Sequence, residues 1–313
     1  MTPRALWCIK PGQAELRPAA PGEGVAVRAL FSGISRGTER LVLSGDVPAA
    51  ERDRMRAPFQ EGDFPFPVKY GYALVGQATE GALAGRPVFA LFPHQDEFRL
   101  PEDALIPLPD GLPPERAVLA ANMETALNIL WDSGAGPGDR IAIVGGGLVG
   151  LLVASLAARL PGAEVTVVDL QDRAALARSM GCAFAHPDHA PTGQDAVIHA
   201  SASQAGLTLA LSLAGPQATI TEASWHGECQ VALPLGAAFH SQRLRIISSQ
   251  VASIPPDRVP RWTYRRRLAK ALDLLRDDRL DALISGETAF AALPDAYAAI
   301  LSDPATLCHR IRY

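Results

Sequence analysis

Three glycines and one aspartate carry the clearest chemistry in this chain. Gly145, Gly147 and Gly150 stand in G-x-G-x-x-G spacing directly after an apolar run, IAIV at 141–144. A helix-forming run to about residue 160 follows, then a second apolar run, VTVV at 165–168, closed by Asp169. In such an arrangement the first glycine permits a tight turn. The second lets backbone approach a pyrophosphate, and the third lets helix pack close to strand. The helix start, with Leu148 and Val149, offers unpaired N–H groups and positive partial charge to the same anion. Asp169 follows Gly145 by 24 residues, near the place from which a carboxylate accepts both adenosine ribose hydroxyls and repels a 2′-phosphate. The pattern predicts a dinucleotide site that prefers NAD to NADP, with Arg173 flanking the adenine or capping its helix.

Those residues need a parallel sheet to hold them. From 140 onward the sequence alternates between strand-like and helix-like runs, as a doubly wound α/β sheet requires. The reading gives a helix at 173–180 stopped by Gly181, a strand at 196–200, a helix at 207–213, and strands at 218–221 and 244–248. Upstream, residues 1 to about 118 are rich in Gly and Pro, with short β-like runs at 24–31, 70–79, 87–91 and 97–101. Short strands with frequent turn residues predict a β-rich domain. PLPDGLPP at 107–114 is its exit loop, and a helix is expected over 115–133. Pro255, Pro256 and Pro260 break the later pattern, before a helix at 265–276 and a tail ending HRIRY.

Composition removes several classes of function. The 313 residues suffice for two cores, and the formal net charge of −4 offers no basic field for nucleic acid or an anionic membrane. The basic run at 261–267, with Lys270, reads as a solvated helix face. Cys8, Cys182, Cys229 and Cys308 are scattered without a C-x-x-C pair, which argues against structural zinc and disulfides and for a reducing cytoplasm. No run is long enough to predict a membrane span.

The order of a β-rich domain, a dinucleotide unit and a short return segment resembles the medium-chain dehydrogenase/reductase superfamily. The carrying stretches are FSGISRGTE (31–39), VKYGYALVG (68–76), EFRLPEDALIPLPDGLPPERAVLA (97–120), the glycine turn, and DLLRDDRLDALISGETAFAALPDAYAAI (273–300). The resemblance implies a discontinuous GroES-like catalytic domain, 1–120 with 253–313, around a Rossmann domain, 121–252. RMRAPFQEGDFP (54–65), PHQ (93–95) and LAANMETALN (119–128) resemble the 2-desacetyl-2-hydroxyethyl bacteriochlorophyllide a dehydrogenase branch. That implies a hydroxyethyl-bearing tetrapyrrole as one substrate class. Relatives pair through the last strand of the Rossmann sheet, so 244–248 implies a homodimer.

The departures from the superfamily concern zinc. Ser35 or Arg36 stands where zinc members carry a cysteine, and Tyr72 and Ala73 stand where they carry His–Glu. Glu124 is the one ligand-type residue left, and one ligand does not hold zinc. The expectation is therefore no metal. Hydride transfer must then control oxygen charge with side chains. Tyr72 is a candidate phenol donor or a buried ring. His94 is a candidate acid–base group or a loop histidine. Thr38 and Ser35 are candidate relays or turn caps, and Glu124 is a candidate base or a helix-start carboxylate. His186 and His189, in H-P-D-H, read as loop, while His199, His226 and His240 have no assigned role. Two alternatives stay open: a quinone or enone reductase using NAD(P)H, and a non-catalytic dinucleotide sensor or scaffold.

Overall fold

The apolar run before the glycines is an inner strand of a six-stranded sheet in the computed structural model, which describes residues 2–313. From edge to edge the strands are Ala183–Ala185, Glu164–Val168, Arg140–Val144, Gln194–His199, Ala214–Glu222 and Arg245–Ser248. Every neighbouring pair is parallel. Numbered along the chain, the order is 3-2-1-4-5-6, with its switch point between Arg140–Val144 and Gln194–His199. Helices on the sheet faces bury Ile141, Ala142, Ile143 and Val144 on both sides, which explains an unbroken apolar strand rather than an alternating one.

The sequence reading found these elements with shifted ends. The helix after Asp169 is Ala174–Ser179, and the next is Gln204–Leu213. That second helix starts three residues early because Ser203 caps it, its hydroxyl accepting the Gly206 N–H at 3.0 Å. Ala183–Ala185 escaped notice, being three residues long at an edge. Leu207, Leu211, Ile220 and Leu244 close the core on one side of the sheet.

Two compact units make up the chain: one runs to Ala121 and resumes as Leu268–Tyr313, the other is Asn122–Arg267. The resumption falls at Leu268 where the sequence suggested 253. Arg267 explains why the intervening stretch stays with the second unit. Its guanidinium donates to Glu124 Oε1 at 3.0 Å, Asn128 Oδ1 at 2.5 Å and the Val251 carbonyl at 2.5 Å. Trp131 and Trp262 of the same unit pack with ring centroids 4.7 Å apart.

The first unit is built on Val25–Ser35, an eleven-residue strand. Cys308–Arg312 and Leu74–Ala78 lie antiparallel against it, and Glu97–Leu100 pairs with its start. The expected return of the C-terminal tail is therefore a strand, Cys308 facing Ser35 in register. A second sheet joins Arg4–Lys10 to Gln13–Pro18 and Val68–Lys69. The long strand ends at Ser35, where helix Arg36–Ser44 begins. Among the described residues no helix is long and apolar enough to cross a membrane.

Candidate functional site

The glycine turn has the geometry its spacing implies. Gly145 takes a φ of +115°, open to glycine, and a Cβ there would press on the Ala200 carbonyl carbon at 2.7 Å. A Cβ on Gly150 would drive into the Gly145 carbonyl oxygen, so helix Leu148–Ala157 can start there only because position 150 is bare. Gly147 caps that helix without a side-chain bond and has nothing within 4 Å of its Cβ position. The first-turn N–H groups of Leu148 and Val149 have no carbonyl inside the helix to meet. This is a cradle a pyrophosphate fits.

Asp169 follows the adjacent strand and turns back on the loop. Its Oδ2 accepts the Gly146 N–H at 2.5 Å and its Oδ1 the Gln171 N–H at 2.7 Å. Two carboxylate oxygens have about four acceptor positions, so two remain for ribose hydroxyls. The Arg173 stem lies over Gly146 beside Asp169. Arg173 is also the residue before helix Ala174–Ser179, with no capping bond from its side chain.

In the first unit, Ser35, Thr38 and Tyr72 come together. The Tyr72 phenol bonds both hydroxyls, and burial pushes it up to about 12 against the opposing effect of those bonds. It is therefore a neutral donor across the physiological range. Ser35 precedes helix Arg36–Ser44 and its backbone N–H donates to Glu39 Oε1 at 2.7 Å.

Glu39 was not singled out in the sequence, yet it organises this region. It is fully buried, and its Oε2 accepts the Tyr297 hydroxyl at 2.6 Å and meets His94 Nε2 at 3.1 Å. Burial raises the Tyr297 phenol well above its ordinary range, so Tyr297 stays a donor. His94 Nδ1 lies 2.8 Å from the Ser32 hydroxyl, which lies 2.9 Å from Tyr313. With its Nε2–H donating to Glu39 and its Nδ1 accepting from Ser32, the His94 ring satisfies both partners. The expectation that His94 acts on substrate does not fit this geometry. It has no exposed surface and both ring nitrogens are occupied, since the Phe92–Gln95 turn is pinned inward by the Leu6 N–H to His94 carbonyl bond. The acid that closes the GTE turn was the signal available for Glu39.

Glu124 is engaged as well. It is buried in the second unit with its carboxylate on Arg267; burial raises its pKa and Arg267 opposes the rise. Ser35, Arg36, Tyr72 and Ala73, the positions that the sequence resemblance compares with zinc ligands, carry no thiolate, imidazole or carboxylate. Among the described residues one trio of ligand-type side chains converges, elsewhere: His199, Glu222 and His226 in the second unit. No sequence motif marks either histidine. His189 ends the short turn Pro187–His189, and His186 precedes that turn beside Asp188.

Residues 111–186 match the model of the pyridine nucleotide-disulphide oxidoreductase family, a span that includes the glycine turn and Asp169. Over the whole chain the fold is similar to L-idonate 5-dehydrogenase of Escherichia coli, with TM-score 0.79, 13% identity, and 100% and 99% of the two chains covered. It is likewise similar to a short chain alcohol dehydrogenase of Escherichia coli complexed with NADH, with TM-score 0.75, 17% identity and 99% of each chain covered. TarJ of Staphylococcus aureus in complex with NADPH gives TM-score 0.76 at 17% identity, covering 100% and 99%. At these identities the likeness is one of fold: the chain has the architecture of these dehydrogenases, a GroES-like β-rich part and a Rossmann sheet.

Proposed function

We propose that this protein is an NAD-linked oxidoreductase that moves a hydride between a secondary alcohol and its ketone, without zinc at the Ser35–Tyr72 place. The turn from Gly145 to Gly150 with Asp169 behind it is the observation that carries the reading. A bound nicotinamide dinucleotide supplies the hydride chemistry. The N–H groups of Leu148 and Val149 bind its pyrophosphate, Gly147 admits it, and the Asp169 carboxylate accepts from its ribose. Tyr72 donates its phenolic hydrogen bond to the substrate oxygen as negative charge grows there, and Ser35 and Thr38 fix the phenol's direction. Glu39 and His94 hold that turn from behind. A phenol pushed up to about 12 is a ready donor and a poor base, so the arrangement suits ketone reduction better than alcohol oxidation.

A hydroxyethyl- or acetyl-bearing tetrapyrrole is the first substrate class to try. Arg173, whose stem lies beside Asp169, favours a second reading in which NADPH is also accepted, as by an enone or quinone reductase. We further propose a cytoplasmic homodimer joined through the edge strand Arg245–Ser248; light scattering at micromolar concentration tests the dimer. Purified protein mixed with NADH and panels of ketones, quinones and enones tests the function: NADH consumption with ketones supports it, and none with any acceptor refutes it.

A further inference from the structure

His199 and Glu222 are the last residues of neighbouring parallel strands, directly opposite in register, and His226 follows on the next loop. They lie at the carboxyl edge of the sheet, where open α/β folds bind ligands. His199 Nδ1 is 2.6 Å from Glu222 Oε2, and His226 Nε2 approaches the same oxygen at 3.4 Å. The two imidazoles are nearly parallel, 19° apart, with centroids at 6.0 Å. The three ligand atoms all lie within 4.8 Å of one another.

We infer that His199, Glu222 and His226 form a site for a divalent transition cation, zinc by preference. Two imidazole nitrogens and one carboxylate oxygen are a borderline donor set that suits Zn2+. With bonds of about 2.0–2.1 Å, tetrahedral ligand atoms stand roughly 3.4 Å apart. The His226 approach already has that spacing, long for a hydrogen bond. The His199 pair must open and its bridging proton leave as the cation enters. Three protein ligands leave a fourth position for water or another oxygen ligand.

The surroundings of His199 are those of a held ligand. Its Nε2 lies 2.7 Å from the Ser201 hydroxyl, which lies 2.9 Å from the Ser203 hydroxyl. A hydrogen bond on Nε2 fixes the ring's rotation and directs the Nδ1 lone pair at the site. A Cβ on Gly206 would collide with the Ser201 hydroxyl, so a bare residue in the first turn of helix Gln204–Leu213 makes room for this support. His199 is wholly buried, whereas Glu222 and His226 are partly exposed, which gives the cation a way in. All three residues belong to the second unit, and the proposed hydride chemistry does not pass through them.

The test uses the full chain, stripped with a chelator and dialysed. Zn2+ alone is titrated by calorimetry, and Co2+ serves as a spectroscopic probe. We expect one Zn2+ per chain, with affinity at least tenfold lower in both His226→Phe and Glu222→Gln and unchanged in His189→Gln and Cys229→Ser. Visible bands of four- or five-coordinate Co2+ should be lost in His226→Phe. Far-UV circular dichroism of each variant reports folding independently of the metal. His226 lies on a loop, so if Glu222→Gln fails to fold, His226→Phe decides. Failure of the wild-type chain to bind Zn2+ stoichiometrically overturns the inference, as does tight binding that His226→Phe retains.

Discussion

The Gly146 amide donates to Oδ2 of Asp169 at 2.5 Å, tying the carboxylate at the end of one strand to the glycine turn at the end of the next. The bond aims the carboxylate and leaves acceptor capacity on both oxygens. A 2′-phosphate placed there meets a fixed negative charge. NADH should therefore bind more tightly than NADPH by roughly 1–3 kcal/mol, the cost of losing a charged hydrogen bond on burial. Asp169→Ser should narrow or reverse the gap. Fluorescence titration of both cofactors checks this, and equal affinities in the unmodified protein would contradict it.

Tyr72→Phe keeps the ring and removes only the donor. Losing one such donor costs on the order of 10²–10³ in turnover. We expect a fall in kcat of that size for ketone reduction with unchanged NADH affinity. Because the phenol lies at about 12, Tyr72 itself should impose no pH dependence on reduction from about 6 to 10. A variant with near-full turnover would move the donor role elsewhere.

Glu124 should matter for stability and not for chemistry. Arg267 is 2% exposed and Glu124 is its carboxylate partner. Removing one member of such a pair leaves a buried charge and costs roughly 3–5 kcal/mol. Glu124→Gln should lower the urea midpoint accordingly while kcat at permissive temperature holds. A selective loss of kcat at unchanged stability would restore Glu124 as a base.

Stability should fall in alkali. Burial pushes the Cys8 and Cys308 thiols and the Tyr72 phenol up to about 12, and raises Tyr70 and Tyr297 as well. The folded state therefore favours the protonated forms. That stability is fully present below the unfolded values, about 8.5 for thiols and 10 for phenols, and is lost as pH rises toward 12. Each group contributes about 1.4 kcal/mol per pH unit inside its window. Lys69, whose pKa burial lowers, opposes the trend as a single group. Urea midpoints at pH 8, 9.5 and 11 should decline in order, and a flat series would contradict the buried-thiol assignment.

The glycine turn and its flanking strands were legible in the sequence because each glycine answers a local demand, visible as spacing. Gly150 must be bare for its helix to start, and Gly145 must accept a positive φ. The Glu39 network was not legible, because its members are distant in sequence. Ser32, Glu39, His94 and Tyr297 meet only when the long strand, its following helix, the 92–95 turn and helix Leu293–Ser302 fold together. Tyr72, Ser35 and Thr38 are candidates by resemblance alone, and in the fold their hydroxyls meet. His94 is a candidate as an imidazole just ahead of the 97–101 strand, but burial commits both its nitrogens to neighbours. His199 and Glu222 share a signal that register alone reveals: both end adjacent parallel strands.

The most direct test of the proposed activity follows the hydride itself. The protein is incubated with NADH deuterated at C4 and a panel of ketones, enones and quinones, and the products are read by mass spectrometry and NMR. The account predicts deuterium on the carbinol carbon of a reduced ketone, with the transfer suppressed in Tyr72→Phe. Deuterium on the β-carbon of an enone, or bound NADH that reduces no acceptor at all, would contradict it.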